Sequence, residues 1–195
     1  RAHWQGKFSS GRGIEGAVSV NINPRTIENQ NFPARLLSLL ASAGVSGETL
    51  ELEILEVSSI ENFDRTYEIL QQCRALGVGV SLDDFGTGYS SLTHFHALPI
   101  NVLKIDRRFI QCLNSDAKSL ALVKSILAIA QAHKINVVAE GIESYGVAST
   151  LKTLGCARGQ GYAIAKPMCE RDYLSWSQNW ELTKFQEQLD AALLH

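Results

Sequence analysis

The sequence predicts an α/β fold: a TIM-like (β/α) barrel of about six βα units, N-terminally incomplete in this chain. Three observations predict it. Apolar runs of strand length alternate with helical patterns, the order that sets parallel strands beside crossover helices. Glycine and proline mark most of the joints. Every strand-like run also ends in an acid, an amide or an amine: Asn21, Glu53, Asp83 with Asp84, Lys104 with Asp106, Glu140 and Gln160. A closed parallel barrel gathers all its strand ends on one face, whereas an open doubly wound sheet uses only a crevice. Polar endings on every run therefore favour the barrel.

The opening "RAHWQGKF" reads as the tail of a helix, with residues 1–15 the end of a preceding helix and its loop. Strand-like runs follow at 16–22, 49–55, 78–83, 101–106, 136–142 and, more weakly, 158–164. Between them, 32–44 has Pro33 at its front and Gly44 at its end, the asymmetry of a helix. Residues 62–77 close at Gly77, and 90–98 is a shorter helix stopped by Pro99. In 115–134, Val123, Ile126, Leu127 and Ala130 share one face, and Ser115 is placed to cap it. Residues 144–155 close at Gly155, and the amphipathic tail 172–195 forms a C-terminal helical extension. No linker interrupts the pattern, so residues 1–195 read as one domain. An eight-unit barrel takes ~250 residues. The expectation is that further units precede Arg1 in a longer parent, or that the barrel is open.

Composition narrows the function. The 195 residues are 45% hydrophobic and 19% charged, which suits a soluble domain with a sizeable core. A net charge of −2 provides no basic field for DNA. No apolar run is long enough to span a bilayer and no secretory leader pattern is present, so the expected location is the cytoplasm, alone or as the cytoplasmic part of a larger protein. Cys73, Cys112, Cys156 and Cys169 form no C-x-x-C pair and read as reduced packing thiols, not zinc ligands.

The chemistry centres on "VGVSLDDFGTGYSSL" (78–92), where an apolar strand runs into two adjacent aspartates. Glu53, Asp83, Asp84 and Glu140 would share one cleft, and bare carboxylates at that spacing repel one another. A divalent cation resolves the repulsion. Oxygen donors together with the Asn21 amide select Mg²⁺, Mn²⁺ or Ca²⁺ over zinc. Adjacent aspartates suit two ions, with one carboxylate bridging them, and ions ~3.5–4 Å apart form a clamp for phosphoryl chemistry. Lys104 adds a positive charge beside a nucleophile or phosphate. The glycines of "FGTGYSS" allow close backbone approach or loop movement. Taken alone, an aspartate at a strand end is more often a cap; the full set of strand ends carries the metal reading.

Three other motifs lead nowhere. "GRGIEG" (11–16) precedes a strand, the reverse of the order a dinucleotide fold needs. "DFG" (84–86) lacks the other kinase motifs. His94 and His96 lie two residues apart on a short helix and point to different sides.

Together, "SVNIN", "LELEILE", "LDDFGTGYSSL", "LKID", "VVAEGIE" and "GQGYAIAKP" resemble the EAL domain family of bacterial cyclic di-GMP phosphodiesterases, over residues ~16–175. The resemblance implies a TIM-like barrel that hydrolyses cyclic di-GMP to linear pGpG with two Mg²⁺ or Mn²⁺ ions, Ca²⁺ being inhibitory. It implies Asn21, Glu53, Asp83, Asp84 and Glu140 as metal ligands. Lys104, Glu140 and Asp83 take the catalytic roles, with Lys104 at the nucleophilic water. Gln160 and Asp106 contact substrate. Glu56 anchors the loop that begins Phe85, Gly86, Thr87, Gly88 and couples the site to a homodimer interface. It implies sensor or GGDEF domains upstream. The chain departs from the family at three places. The namesake Glu-Ala-Leu and the Arg after it are absent, Leu55 replaces a usual Thr, and Asn23 replaces a usual Ser. Two other readings follow: a catalytically inactive EAL-like domain that senses cyclic di-GMP or binds a protein, and an open barrel stabilised by dimerisation.

Overall fold

A computed structural model describes residues 17–55, 62–86, 98–180, 185 and 187. They divide into two compact units. One runs to Ile105 and takes in Ala130–Asn136; the other comprises Asp106–Ile129 and the residues from Val137 onward.

In the first unit, β1 (Val18–Ile22), β2 (Leu50–Leu55), β3 (Gly79–Phe85) and β4 (Val102–Ile105) form parallel neighbours in that order. The alternation within "VSVNI" and "LELEIL" decides which side is buried. Leu52, Ile54, Val80, Leu82, Leu103 and Ile105 are fully buried on one face. Each contributes about 1.5–3 kcal/mol by leaving water. The opposite face carries Ser19, Asn21, Glu51, Glu53, Ser81, Asp83 and Lys104. The register sets Ser19 beside Glu51, and Glu53 between Asn21 and Ser81. Ser19 Oγ donates to Glu51 at 3.0 Å.

Helices cover this sheet. α1 (Pro24–Ile27) is one turn that buries Ile27. α2 (Phe32–Ala43) buries Leu36 and Leu40 and ends at Gly44, whose φ of 66° lets its N–H reach back to Ala41 and Leu40. This is the left-handed stop that glycine supplies cheaply. α3 (Phe63–Ala75) starts at Asn62, whose side chain accepts from Arg65 N. It buries Thr66, Ile69, Leu70 and Cys73 and packs on β3.

After β4 come α4 (Arg107–Gln111), α5 (Ala117–Ala132), β5 (Asn136–Ala139), α6 (Tyr145–Thr153), β6 (Arg158–Gly159) and α7 (Glu170–Asn179), all in the second unit except the last turn of α5 from Ala130 and Asn136 of β5. β5 and β6 pair in parallel through Val138 with Arg158 and Ala139 with Gly159. Ser144 caps α6 by accepting from Val147 N. α5 begins two residues later than expected. Asp116, not Ser115, caps it, accepting from the backbone of Lys118 and Ser119, while Ser115 Oγ turns back to the Cys112 carbonyl. Val123, Ile126 and Ala130 are its buried face; Leu127 is only half-buried.

The expected runs 136–142 and 158–164 are shortened. β5 stops at Ala139 because Glu140 and Gly141 leave the strand, Gly141 at φ 72°. β6 stops at Gly159. From Gly161 the chain turns, with Ile164 and Ala165 both donating to the Gly161 carbonyl. α1 and α4 are too short to show a helical period, which is why the sequence does not announce them. The helix expected at 90–98, with His94 and His96, lies outside the described residues except for Leu98, as do residues 1–15. Of the tail, α7 starts at Glu170, and Phe185 and Glu187 are helical.

Cys73 and Cys156 are buried, as packing thiols should be. Cys112 and Cys169 are exposed, and all four are free. Burial pushes the Cys73 thiol up to about 11 and raises that of Cys156. No helix among the described residues is long and apolar enough to cross a membrane.

Candidate functional site

The polar face of the first unit holds a buried ionic cluster. Lys104 is wholly buried, yet its stem is flanked by strand residues and its Nζ lies 2.8 Å from Glu53 Oε1 and 3.3 Å from Asp83 Oδ1. Glu53 is 1% exposed and Asp83 3%. Removing such groups from water is costly, so an isolated lysine is not found there; the two carboxylates offset the cost. Three parallel strands, β2, β3 and β4, each supply one member, so the geometry is set by the sheet.

Asp84 needs a separate explanation. Successive strand residues point to opposite faces, which would send Asp83 and Asp84 apart. Between Leu82 and Phe85 the register slips: Leu82 pairs with Leu103 and Phe85 with Ile105. Three steps on β3 thus match two on β4, a β-bulge. Asp84 takes φ 53° there, its N–H donating to Asp83 Oδ1 at 3.1 Å. The result brings carboxylate oxygens of both aspartates within 4.8 Å of each other. Asp84 is half-buried. A left-handed aspartate in a bulge is a mildly strained conformation, of the kind concentrated at functional sites.

Asn21 lies beside Glu53 in the register and is exposed. Leu55 lies beside Asp83 and is 47% exposed, an apolar group on a polar face. Phe85 is buried, and Gly86 turns the chain at φ 98°. Glu56, Thr87 and Gly88 lie outside the described residues.

In the second unit, Glu140 is buried and its Oε1 accepts from Gln160 Nε2. Asp106 is buried as the cap of α4. Its Oδ1 accepts from Arg108 N at 2.7 Å and from Arg108 Nε at 3.1 Å, so one carboxylate oxygen is already engaged. Glu140 and Gln160 line a cavity of about 330 Å³ with Arg107, Glu143, Tyr162 and Lys166. Sequence reasoning did not single out those last four; only the tertiary turns bring them together. A larger surface cavity of about 520 Å³ between Met168 and Trp180 has Asp172 as its one titratable lining residue among those described.

Hard oxygen donors of this kind fit a divalent cation: two adjacent carboxylates from Asp83 and Asp84, the Asn21 amide and the buried Glu53 carboxylate.

A model of the EAL domain family matches residues 2–167. The chain is 35% identical over 179 residues to the cyclic di-GMP phosphodiesterase PdeR of Escherichia coli, covering 92% of this chain and 26% of that protein. Two solved structures are similar. The EAL enzyme Bd1971, in a form with cAMP and cyclic di-GMP bound, superposes with a TM-score of 0.78 at 39% identity, over 82% of this chain and 42% of that one. The Klebsiella pneumoniae BlrP1 manganese and cyclic di-GMP complex gives 0.71 at 26% identity, over 77% and 39%. The solved structures it matches are EAL domains, a TIM-barrel-like fold, in line with the α/β class and parallel strands seen here. The chain spans between about a fifth and two fifths of the length of the curated relatives it matches.

Proposed function

The chain belongs to the EAL domain family, and from that premise we propose that residues 1–195 form one EAL-type domain that hydrolyses cyclic di-GMP to linear pGpG with Mg²⁺ or Mn²⁺. The observation that carries this reading is the buried Lys104–Glu53–Asp83 cluster with Asp84 turned in beside it by the bulge. Two carboxylates meet one ammonium there and the Asp84 carboxylate lies beside that of Asp83, a surplus of negative charge that calls for a cation.

Asn21, Glu53, Asp83, Asp84 and Glu140 would hold the metal. A divalent metal held there would supply positive charge to the phosphate and acidify a water. The protein's own groups do the rest. Glu53 and Asp83 hold the Lys104 ammonium in a dry setting, where its charge acts strongly on a developing negative charge. Gln160 fixes the orientation of the Glu140 carboxylate through its amide N–H. Gln160 and Asp106 contact the substrate. The loop from Phe85 to Gly88, anchored by Glu56, couples the site to a homodimer, in a cytoplasmic protein with sensor or GGDEF domains upstream.

The test is chromatography of cyclic di-GMP incubated with the protein and Mn²⁺. Wild type yields pGpG, and Asp83→Ala lowers turnover on the order of a thousandfold, the scale of losing a group that holds the catalytic ion and the charge beside it. A wild-type protein that yields no pGpG with Mn²⁺ present overturns the reading.

A further inference from the structure

Lys104 reaches Glu53 and Asp83 from β4, a strand of only four residues. β4 meets β3 through Ser81 with Val102 and Leu82 with Leu103, and the bulge then breaks the register before Phe85 meets Ile105. Two regular pairs are little to hold a strand in place. A slip of one residue turns every side chain to the other face, which would put Leu103 or Ile105 where Lys104 stands. Asn101, immediately before β4, adds the bonds that the short ladder lacks. Its N–H donates to the Val80 carbonyl at 2.8 Å, and its side-chain Oδ1 accepts from the Val80 N–H at 3.1 Å. Its own carbonyl accepts from the N–H of Asn136, the first residue of β5, at 3.1 Å. Val80 is wholly buried, so its N–H needs a partner within the protein. Asn101 itself is half-buried.

The residue type suits the place. In a parallel ladder each N–H is met by a carbonyl of the neighbouring strand. The chain enters β4 past Pro99, with the Ile100 N–H turned back to the Leu98 carbonyl, and the Asn101 amide oxygen stands in for a main-chain acceptor. An apolar residue of the same size would fill the space and leave the Val80 N–H unmet. Aspartate offers the same oxygen, so the role needs an acceptor and not an amide as such. We propose that Asn101 is a positioning residue: by clamping Val80 it fixes the β3–β4 register, and through the register the place of the Lys104 ammonium between Glu53 and Asp83. The inference rests on the phosphodiesterase reading for its effect on rate, but not for its effect on Lys104.

Two readouts on the full chain test it: the ¹⁵Nζ–H nuclear magnetic resonance signal of Lys104, identified by its loss in Lys104→Met, and turnover of cyclic di-GMP with Mn²⁺. In wild type an ammonium buried against two carboxylates should give a resolved signal protected from exchange. Asn101→Leu should shift or broaden that signal. It should also lower kcat roughly tenfold to a hundredfold with KM changed less than about twofold, because a displaced charge weakens the transition state more than substrate binding. Asn101→Asp keeps the acceptor oxygen and should restore the signal, with kcat within about twofold of wild type. Asn101→Ala removes the same oxygen without adding bulk and takes the place of leucine should that protein not fold. A leucine or alanine protein that melts earlier yet keeps the wild-type signal and kcat would show that Asn101 serves stability alone. A folded Asn101→Asp protein without rescue would show that the acceptor oxygen is not what matters. Either result overturns the inference. Wild type that yields no pGpG overturns the functional reading, and the Lys104 signal then decides the positioning role by itself.

Discussion

The two units handle polar groups in opposite ways. In the first, the polar residues that matter are nearly dry: Lys104, Glu53 and Asp83 are all under 4% exposed and rise from the interior of parallel strands. In the second, the polar groups stand around an open cavity formed by turns, and Arg107, Tyr162 and Lys166 are exposed. Strands hold side chains at spacings fixed by backbone hydrogen bonds, which suits charges that must sit within hydrogen-bond reach of one another. Turns at Gly141 and Gly161 bring the backbone against Arg107 and Ile142 too closely for a side chain, which gathers groups from distant turns around one cavity. The comparison teaches that the buried cluster should govern stability most strongly, since its charges depend on one another, whereas the cavity residues are open to solvent.

Three perturbations sharpen or break that contrast. The largest effect is expected from Lys104→Met. It leaves Glu53 and Asp83 buried without their cation, and breaking a buried pair in this way should cost about 3 kcal/mol of unfolding free energy. Mn²⁺ should raise the melting temperature of this variant more than that of wild type, since the ion supplies the missing positive charge. A variant as stable as wild type in a urea titration would show that the cluster is not the electrostatic core argued here.

Gly141→Ala comes next. The new methyl would meet Arg107 at a backbone angle L-residues rarely adopt, so about 2 kcal/mol is expected from strain and contact together. Urea denaturation measures it. A change of a few tenths of a kcal/mol would mean that the cavity floor relaxes freely and is no built feature.

The smallest effect concerns Asp116. Hydrogen bonds from Ser119, and then from the Ser119 and Lys118 backbone, hold its carboxyl below the ordinary value. A carboxyl with a lowered folded-state pKa stabilises the fold above the unfolded value of about 3.9, and that contribution fades as pH falls through the folded value. Asp116→Asn keeps the cap but has no charge to titrate. Its melting temperature should therefore fall less than that of wild type on acidification below about pH 4. Parallel curves for the two proteins would show that Asp116 is not coupled to folding.

Much of the first unit is legible in the chain because its pattern is local. "LELEIL" alternates, Leu52 and Ile54 go to the covered face, and Glu51 and Glu53 go to the other. Gly44 and Asn62 end and begin helices by their own backbone and side-chain chemistry. Alternation also brings Lys104 to the same face as Glu53, but the direct contact between them depends on register across three strands. The second unit is less legible. "RGQGYAI" has the composition of a strand, yet Gly161 closes against the backbone of Ile142, and that approach overrides the local pattern. Ser115 has the chemistry of a cap, but α5 starts at Ala117, which gives the capping role to Asp116.

Sequence alone determined the α/β alternation, the parallel order and the residue types that end each strand, because these follow from side-chain period and turn chemistry over a few neighbouring residues. Tertiary structure alone decided that Asp83 and Asp84 turn toward each other and that Arg107, Gln160 and Tyr162 share a cavity. A period of two would have driven adjacent aspartates apart, and only a bulge forced by pairing with β4 reverses it. The cavity residues are as much as 60 positions apart, from Arg107 to Pro167, and no local rule relates groups that meet only when distant turns pack.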